Sequence, residues 1–337
     1  MSGNRRFLLI RRPQGMPVPE DFSLVESAIP EPRDGAFVVR NHFISLDPAQ
    51  RGWMDDAPSY MPPIALGDPV RATTVGVVHN SAHPDYRPGQ WVLGLNAIEE
   101  FSLVEPGAFT APIDVSLVDT PSRFLSALGA VGLTAWFGVT DVLKPRAGET
   151  LCVSGAAGAV GSVVGQLGKI AGARVIGIAG GSEKCRRLIG DYGFDVAIDY
   201  RGKSIEALAA ELAAAAPDGI DCLFENVGGA VLEAEILSLA RRARILLCGL
   251  ISEYNADEPH GLRNLWQVIV KEATIHGFLI SAYADRFTEG GAEVARLIAE
   301  GRLRMDEDLQ HGIENSYDAF MRLFSGANSG KLVLKIA

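Results

Sequence analysis

The chain has 337 residues, of which 47% are hydrophobic and 21% are charged, which is typical of a globular protein of about two domains. Its formal net charge of −10 argues against a general electrostatic affinity for nucleic acid or anionic membranes, although a local anion site is compatible with it. No run of 18 apolar residues is present, so we expect no transmembrane helix.

The N-terminus and the cysteines indicate a cytoplasmic protein. The apolar run at residues 7–10 is too short for a signal peptide and predicts a first strand instead. Cys152, Cys185, Cys222 and Cys248 lie far apart in strand or helix patterns. We therefore expect reduced thiols without disulfide bonds, as in the cytoplasm.

Residues 1–125 are predicted to be rich in β-structure. Short alternating apolar runs at residues 37–44, 74–78 and 89–94 are separated by turns rich in proline, glycine and aspartate. A last strand is predicted at residues 330–336, and we expect this tail to return to the first domain.

From about residue 122 to residue 300 the pattern changes to alternating strands and helices. The predicted strands are at residues 150–154, 174–179, 194–199, 221–226 and 243–248, and the predicted helices at 159–171, 182–191, 205–216 and 230–239. Apolar strands alternating with helices predict an α/β fold with a doubly wound parallel sheet.

A glycine-rich loop between the first of these strands and its helix predicts a dinucleotide site. Gly155, Gly158 and Gly161 are spaced three residues apart. Such glycines permit a tight turn, a close approach of the backbone to a pyrophosphate, and close packing of the helix on the sheet. The N-terminus of the helix supplies N–H groups and partial positive charge to the phosphates.

The end of the second strand favours NADP(H) over NAD(H). An NAD site would place an acidic residue there for the ribose 2′-hydroxyl, but this chain has Gly180 and Gly181. Ser182 and Lys184 are candidate ligands of a 2′-phosphate, and Arg187 is a further candidate.

Residues 1–150 do not have the ligands of a zinc-dependent alcohol dehydrogenase. They contain no cysteine, and His42, His79 and His83 have no soft partner. Without a metal, the accessible hydride reaction is conjugate reduction, in which hydride adds to the β-carbon of an activated alkene and negative charge moves to a carbonyl oxygen. A tyrosine hydroxyl suits this oxygen, since it remains protonated at pH 7.

Several motifs together resemble the zinc-free medium-chain dehydrogenase/reductase superfamily. Within it, the chain is most similar to the group of prostaglandin reductases (leukotriene B4 12-hydroxydehydrogenases), plant alkenal double-bond reductases and bacterial curcumin reductases. The matching segments are ISLDP at 44–48, RGWM at 51–54, GLTAWFG at 132–138, SGAAGAVGSVVGQ at 154–166, GIDCLFENVGG at 219–229, CGLISEYN at 248–255 and NSGK at 328–331.

The resemblance implies an architecture and an assembly. Residues 1–125 would form a GroES-like β-barrel catalytic domain, residues 126–300 a Rossmann NADP-binding domain, and residues 301–337 would return to the catalytic domain. The active site would lie between the two domains. The resemblance also implies a homodimer formed through the Rossmann domain, with sheet edges around residues 273–278 paired across the two-fold axis.

The resemblance also assigns site residues. Those implied to contact the cofactor are Gly155, Gly158, Ala159, Val160 and Gly161 at the pyrophosphate; Ser182, Lys184 and Tyr200 at the 2′-phosphate; Asn226; Cys248, Gly249, Leu250, Ile251, Ser252 and Tyr254 along the nicotinamide; Phe278, Leu279 and Ile280; and Asn328. Tyr254 would stand near the substrate oxygen and Tyr60 over the substrate.

The implied activity is NADPH-dependent reduction of the C=C bond of α,β-unsaturated aldehydes and ketones. Tyr254, the cofactor ribose hydroxyl or both would stabilise the enolate, and the α-carbon would take a proton from water or from Tyr60. Two alternatives stay open, a quinone reductase of the same superfamily and a non-catalytic NADPH-binding sensor. Structural roles also stay open for single residues: Tyr60 as a loop aromatic, Tyr254 as a cap on the sheet, Cys248 as a small buried residue and Asn226 as a turn residue.

Overall fold

A computed structural model describes residues 3–107 and 109–337, and the chain divides into two compact units. The first unit comprises the residues up to Ser126 together with Glu307–Asn328 and Leu332–Ala337. The second unit comprises Ala127–Asp306 and Ser329–Lys331. No helix in the described part of the chain is long and apolar enough to cross a membrane.

The strands and α-helices are numbered along the chain. The strands are β1 (Asn4–Leu9), β2 (Phe22–Ser27), β3 (Phe37–Ser45), β4 (Arg71–Ser81), β5 (Trp91–Ala97), β6 (Phe101–Val104), β7 (Ala111–Pro112), β8 (Thr150–Val153), β9 (Arg174–Ala179), β10 (Val196–Asp199), β11 (Ile220–Glu225), β12 (Leu239–Leu247), β13 (Thr274–Gly277), β14 (Glu307–His311) and β15 (Lys331–Lys335). The α-helices are α1 (Ala49–Trp53), α2 (Ala130–Phe137), α3 (Ala159–Ile170), α4 (Ser182–Gly190), α5 (Ile205–Ala215), α6 (Gly229–Leu237), α7 (Trp266–Val270), α8 (Phe287–Ala299) and α9 (Ser316–Ser325).

The first unit is built on an antiparallel sheet. Its strands lie in the order β14-β15-β3-β4-β5-β7, and β6 pairs with the other part of β3. The last strand, β15, pairs with β3 so that Val333 lies opposite Ser45. Phe37, Ile44 and Leu46 are completely or almost completely buried. The N-terminal part of the chain is therefore rich in β-structure, as its alternating apolar runs predict.

The second unit contains a six-stranded parallel sheet in the order β10-β9-β8-β11-β12-β13. The chain runs outward from β8 to β10 and then continues at β11 on the other side of β8. This reversal places a topological switch point between β8 and β11, where ligands of such folds bind at the carboxyl ends of the strands. The predicted α/β fold with a doubly wound parallel sheet is confirmed.

Helices pack on both faces of this sheet, and the effect is clearest at its central strand β8. Every residue of β8 is buried. Leu151 and Val153 join the hydrophobic cluster that contains the α3 residue Val164, while Cys152 joins the cluster that contains the α5 residue Leu212. Neither face of such a strand meets solvent, so apolar residues do not alternate with polar ones along it, and the strand is a continuous apolar run.

The predicted boundary between α6 and β12 is wrong. Residues 230–239 are predicted to be helical and the next strand to begin at 243, whereas α6 ends at Leu237 and β12 begins at Leu239. Leu239 pairs with Ile220 of β11, and a register shift follows at Cys222. The exposed Arg241 and Arg242 interrupt the apolar pattern, so that pattern does not predict the first part of β12.

Candidate active site

The glycine-rich loop has the geometry of a phosphate-binding turn. Gly155 follows β8 with φ of +57°, a conformation that favours glycine. The Gly158 N–H donates to the Gly155 carbonyl oxygen at 2.9 Å, which closes the turn. Gly158 is the N-cap of α3 and has no side chain to cap the helix. The first turn of α3, at Ala159 and Val160, therefore presents its backbone N–H groups to a ligand.

Gly161 allows α3 to begin directly against this turn. A Cβ atom at Gly161 would lie 2.5 Å from the Gly155 carbonyl oxygen and 2.8 Å from the Ala156 Cα. Both of these are backbone atoms that cannot rotate away. The third glycine of the motif is therefore required by packing between the helix and the loop.

Asn226 lies beside the glycine-rich loop across the switch point. Its backbone N–H donates to the Ser154 Oγ at 2.8 Å, and its Nδ2 donates to the Ser154 carbonyl oxygen at 2.8 Å. Ser154 in turn donates from Oγ to the Glu225 Oε2 at 2.6 Å. The predicted sites Gly155 and Asn226 are thus brought together at the ends of β8 and β11.

Glu225 is a site residue that the sequence reasoning missed. Its buried carboxylate accepts hydrogen bonds from the N–H of Val227, at 2.7 Å, and from that of Gly228, as well as from Ser154. It therefore fixes the loops after β8 and after β11 at once. An acidic residue that ends a buried apolar strand is the signal that could have identified it.

A second carboxyl group, that of Glu235, lies against Glu225 in the core. Burial, and then the neighbouring charge of Glu225, raise the pKa of Glu235 well above its usual range. The Cys152 thiol contacts the Glu235 Oε1 at 3.6 Å. Burial and the neighbouring charge of Glu225 therefore favour the protonated, neutral form of Glu235.

The segment 248–254 turns over the loop that follows β11. The N–H groups of Cys248 and Gly249 donate to the Glu225 carbonyl oxygen at 2.9 and 3.2 Å, and Ile251 donates to the Asn226 carbonyl oxygen. The Ser252 Oγ donates to the Val227 carbonyl oxygen at 2.7 Å. Burial, and then Glu225, raise the pKa of Cys248 to about 12, so its thiol stays protonated.

The hydroxyl oxygen of Tyr254 accepts a hydrogen bond from the Leu250 N–H at 3.1 Å. A Cβ atom at Gly249 would lie 3.3 Å from this oxygen. The predicted site residues Gly249, Leu250 and Tyr254 are therefore in direct contact.

The predicted site residues after β13 differ in exposure. The Phe278 side chain is buried and stacks on Tyr283 with ring centroids 5.3 Å apart, while Leu279 is exposed and Ile280 half-buried. Phe278 donates from its backbone N–H to the Leu247 carbonyl oxygen, which holds it beside the end of β12. Its side chain belongs to the hydrophobic core, which leaves only its backbone for a ligand.

A cluster of cations lies at the end of β9. Lys184 is half-buried on the first turn of α4, and in the described part of the chain its ammonium group makes no hydrogen bond or ion pair. Burial, then Arg201, then Arg187 lower its pKa. The Arg201 Nε and the Tyr200 hydroxyl lie 2.9 and 3.3 Å from where a Cβ atom of Gly180 would be. The positive charges favour an anion here.

Asp199 shapes this cluster although it is acidic. Its Oδ1 accepts from the N–H groups of Gly181 at 2.8 Å and Arg201 at 3.0 Å, and these hydrogen bonds lower its pKa. Gly181, with φ of +97°, is the N-cap that precedes Ser182. The loop bearing Arg201 is thereby held to the start of α4.

Two arginines in this region differ from what the sequence suggests. Arg187, a candidate phosphate ligand by sequence, instead donates to the Asp306 Oδ2 at 2.5 Å and to the Asp191 Oδ2 at 3.2 Å. Arg201, which the sequence analysis did not select, lies beside Gly180 and Lys184 instead. Arg201 directly follows Tyr200, which the sequence analysis did select, and this position could have identified it.

The two remaining predicted site residues belong to the first unit. Tyr60 is 53% exposed and lies edge-on to Trp53, with ring centroids 6.3 Å apart. Trp53 also faces the Arg71 guanidinium, whose carbon lies 5.9 Å from its ring centroid. Asn328 is half-buried and directly precedes Ser329.

Comparison with known proteins identifies the family. Residues 5–111 match the family described as the N-terminal domain of oxidoreductase, and residues 159–296 match the family described as zinc-binding dehydrogenase. The NADPH-dependent curcumin reductase of Escherichia coli strain K12 is 40% identical, with 99% of this chain and 97% of that protein covered. The chain belongs to the medium-chain dehydrogenase/reductase superfamily.

Other members of this superfamily are similar over the whole chain. An NADP-dependent 2-alkenal reductase of Nicotiana tabacum is 36% identical, covering 99% of this chain and 98% of its own. Crystal structures of CurA from Vibrio vulnificus, one of them in complex with NADPH, have a TM-score of 0.93 at 39% identity and cover 99% of both chains. The family resemblance predicted from the sequence is confirmed.

The residues of this superfamily member fit a nicotinamide dinucleotide with a 2′-phosphate. The glycine-rich loop leaves room for a pyrophosphate at the start of α3, and the end of β9 carries cations rather than a carboxylate directed at the ribose. Within residues 3–107 and 109–337, no three His, Cys, Asp or Glu side chains group in a way that could hold a metal ion.

Proposed function

We propose that the protein is an NADPH-dependent reductase of the activated C=C bond of α,β-unsaturated aldehydes and ketones. The observation that carries this proposal is end-to-end similarity to the NADPH-dependent curcumin reductase, at 40% identity. The similarity to an NADP-dependent 2-alkenal reductase supports the same substrate class. NADPH, when bound, supplies the hydride that adds to the β-carbon.

The cofactor would be held by main-chain groups at one end and by cations at the other. Gly158, Ala159, Val160 and Gly161 would hold the pyrophosphate with their N–H groups, next to Gly155. Lys184 and Arg201 would bind the 2′-phosphate. Other residues proposed to contact the cofactor are Ser182, Tyr200, Asn226, Cys248, Gly249, Leu250, Ile251, Ser252, Tyr254, Phe278, Leu279, Ile280 and Asn328.

Tyr254 would stabilise the developing enolate. Its oxygen accepts the Leu250 N–H, which orients the phenol, and its hydroxyl would donate a hydrogen bond to the carbonyl oxygen of the substrate. Tyr60, which is 53% exposed, would cover the substrate, and its hydroxyl or water would give the α-carbon its proton. A neutral donor aimed at developing negative charge is what this reaction requires of the protein.

The first test follows the oxidation of NADPH with a panel of enones, 2-alkenals and quinones, and then repeats it with NADH. We expect loss of the near-ultraviolet absorbance of NADPH with enones and 2-alkenals, and much slower loss with NADH. Rapid turnover of quinones alone would favour a quinone reductase. Tight NADPH binding without turnover of any panel member would favour a sensor and contradict the proposal.

The tyrosine roles are tested by substitution. We expect Tyr254→Phe to lower kcat about 10²-fold and Tyr60→Phe to lower it less, each with little change in the Kd for NADPH. Tyr317→Phe is the matched control, because it removes one hydrogen bond, from the Tyr317 hydroxyl to the Pro17 carbonyl oxygen. Full kcat in both site variants would show that these roles are wrong.

We also propose a homodimer that forms through the β13 edge of the sheet. All four residues of β13 are exposed, and β12 is its only neighbour in the described sheet. The preceding helix α7 exposes Trp266 by 67% and Ile269 by 66%. An open strand edge beside large apolar side chains is suited to pairing with a second copy.

Cytoplasmic location is the last part of the proposal. Its support is the four cysteines, each of which is a free thiol. Fractionation of cells that express the protein tests the location directly, since recovery in a compartment outside the cytoplasm would contradict it.

A further inference from the structure

The tail of the chain reaches the glycine-rich loop within the second unit. Gly330 forms a parallel bridge with Gly158, the N-cap of α3. Gly330 has φ of +78°, and a Cβ atom there would lie 2.2 Å from the Asp306 carbonyl oxygen. The Lys331 N–H donates to that same oxygen at 2.8 Å. The tail segment Ser329–Lys331 is therefore held between Asp306 and Gly158 of the glycine-rich loop.

Arg187 of α4 binds both Asp306 and the tail segment. Its guanidinium donates to the Asp306 Oδ2 at 2.5 Å and to the Ser329 Oγ. The Tyr192 hydroxyl donates to the same Asp306 oxygen at 2.9 Å. Although burial opposes ionisation, hydrogen bonds from Arg304 and Tyr192 lower the pKa of Asp306, which keeps it an anion. A charged, partly buried network of this kind is sensitive to the loss of any member.

Helix α3 is fixed to the same segment. The Gln166 Nε2 donates to the Arg304 carbonyl oxygen at 2.8 Å, and the Arg304 N–H donates back to the Gln166 Oε1 at 2.8 Å. Hydrogen bonds thus connect α3 to the segment 304–306, that segment to the tail segment, and the tail segment back to Gly158 at the start of α3. Arg187 connects α4 to the same network. The network includes the residues whose backbone N–H groups would bind the pyrophosphate.

We propose that Arg187 is a positioning residue that sets the affinity for both NADPH and NADH by holding the tail segment against Gly158. The inference rests on the proposed function in one respect, namely that a nicotinamide dinucleotide binds the glycine-rich loop. It assigns Arg187 no contact with the 2′-phosphate, because the guanidinium is committed to Asp306, Asp191 and Ser329. A pyrophosphate is common to both nucleotides, so misplacing Gly158 weakens both equally.

The test compares Arg187→Ala, Arg187→Lys and Asp306→Asn with wild-type protein. Arg186→Ala is the matched control, since Arg186 is the exposed neighbour on α4 and has no side-chain partner in the described part of the chain. The Kd values for NADPH and for NADH are measured by calorimetry at a temperature where every variant is folded by circular dichroism. Ser329→Ala removes one hydroxyl and serves as a milder variant if Arg187→Ala does not fold.

We expect Arg187→Ala to raise both Kd values about tenfold, with the ratio of the two Kd values unchanged and kcat within twofold of wild type. Arg187→Lys should recover part of the affinity, and the Arg187→Ala, Asp306→Asn double variant should be no weaker than Arg187→Ala alone. Arg186→Ala should bind as wild type does.

Three results would overturn the inference alone: a Kd rise confined to NADPH, an unchanged Kd for both nucleotides, or additive losses in the double variant. The first would make Arg187 a 2′-phosphate ligand. Wild-type protein that binds neither nucleotide would overturn the proposed function, and this inference with it. The two failures are therefore distinguished by the wild-type measurement.

Discussion

Lys184 is a half-buried cation whose nearest charges are also cations. Burial, Arg201 and Arg187 lower its pKa, so a phosphate dianion bound there would relieve an existing repulsion. A charge-assisted hydrogen bond to phosphate contributes about 1.5–3 kcal/mol. The 2′-phosphate is the only group that distinguishes NADPH from NADH, so this energy should appear in the preference between them.

We expect Lys184→Ala and Arg201→Ala each to raise the Kd for NADPH about 10–100-fold and to leave the Kd for NADH unchanged. Calorimetric titration with both nucleotides measures this. Lys203→Ala is the matched control, since its ammonium is already paired with the Glu211 Oε2 at 2.5 Å. Equal losses for NADPH and NADH would remove Lys184 and Arg201 from the 2′-phosphate site.

Glu235 gives the stability of the fold a defined pH dependence. Burial raises the pKa of its carboxyl group in the folded protein and favours the neutral form, whereas the unfolded chain ionises it above about pH 4.5. The folded state therefore binds more protons than the unfolded state between these two pKa values. Stability falls as pH rises through this window, by about 1.4 kcal/mol per pH unit for this group.

Glu235→Gln removes that titration and keeps a neutral side chain of nearly the same size. We expect the variant to become progressively more stable than wild type as pH rises from 5 to 8. Urea unfolding midpoints at several pH values measure the difference, with Glu183→Gln, a change at an exposed position of α4, as the control. Parallel pH profiles for Glu235→Gln and wild type would show that Glu235 is not held neutral.

At the scale of elements, α3 can begin where it does only because residue 161 is glycine. The two nearest atoms to an added Cβ atom, at 2.5 and 2.8 Å, belong to the backbone of the loop. We expect Gly161→Ala to cost about 1–3 kcal/mol of stability and to weaken NADPH binding as the helix moves away from the loop. Thermal unfolding and nucleotide titration measure the two effects.

Gly190→Ala is the control for this change. It also adds a methyl group to a helical glycine, but nothing lies within 4 Å of the new atom. Helix propensity then predicts a gain of up to about 1 kcal/mol. If Gly161→Ala were as harmless as Gly190→Ala, the close approach of helix and loop would not matter for binding.

The elements that the sequence predicts well are those whose signal is local. β9 is predicted at its observed residues, Arg174–Ala179, because a continuous apolar run between an arginine and a pair of glycines is typical of a strand buried on both faces. The glycine-rich loop is likewise local, since its three glycines and its helix lie within seven residues of one another.

The features that the sequence does not predict depend on partners far along the chain. Arg187 follows Lys184 by one helical turn and has the chemistry of a phosphate ligand, yet Asp306, 119 residues away, binds it. Glu225 could be seen as an acid at a strand end, but its role depends on Ser154, 71 residues earlier. Nothing in the local pattern reveals such pairs.

At the scale of the whole molecule, the apolar side chains of α7 and the open edge of β13 would form the interface of the proposed dimer. We expect Ile269→Glu to convert the proposed dimer to a monomer, because a carboxylate would have to be buried at the interface. Light scattering coupled to size-exclusion chromatography measures the mass. Leu117→Glu is the control, since Leu117 is 72% exposed and lies in the first unit.

Wild-type protein that is monomeric at all concentrations would contradict the dimer. An Ile269→Glu variant that keeps the wild-type mass would place the interface elsewhere. If the monomer still reduces enones at the wild-type rate, assembly is separable from catalysis.

The glycine-rich loop cannot be tested by ordinary alanine substitution. Its proposed binding groups are backbone amides, and residues 156, 157 and 159 are already alanine. Alanine scanning across residues 155–161 would therefore leave every candidate binding amide in place and report only on glycine geometry and on Val160. Only a change in the main chain itself, such as replacing one amide with an ester, would reveal what each N–H contributes.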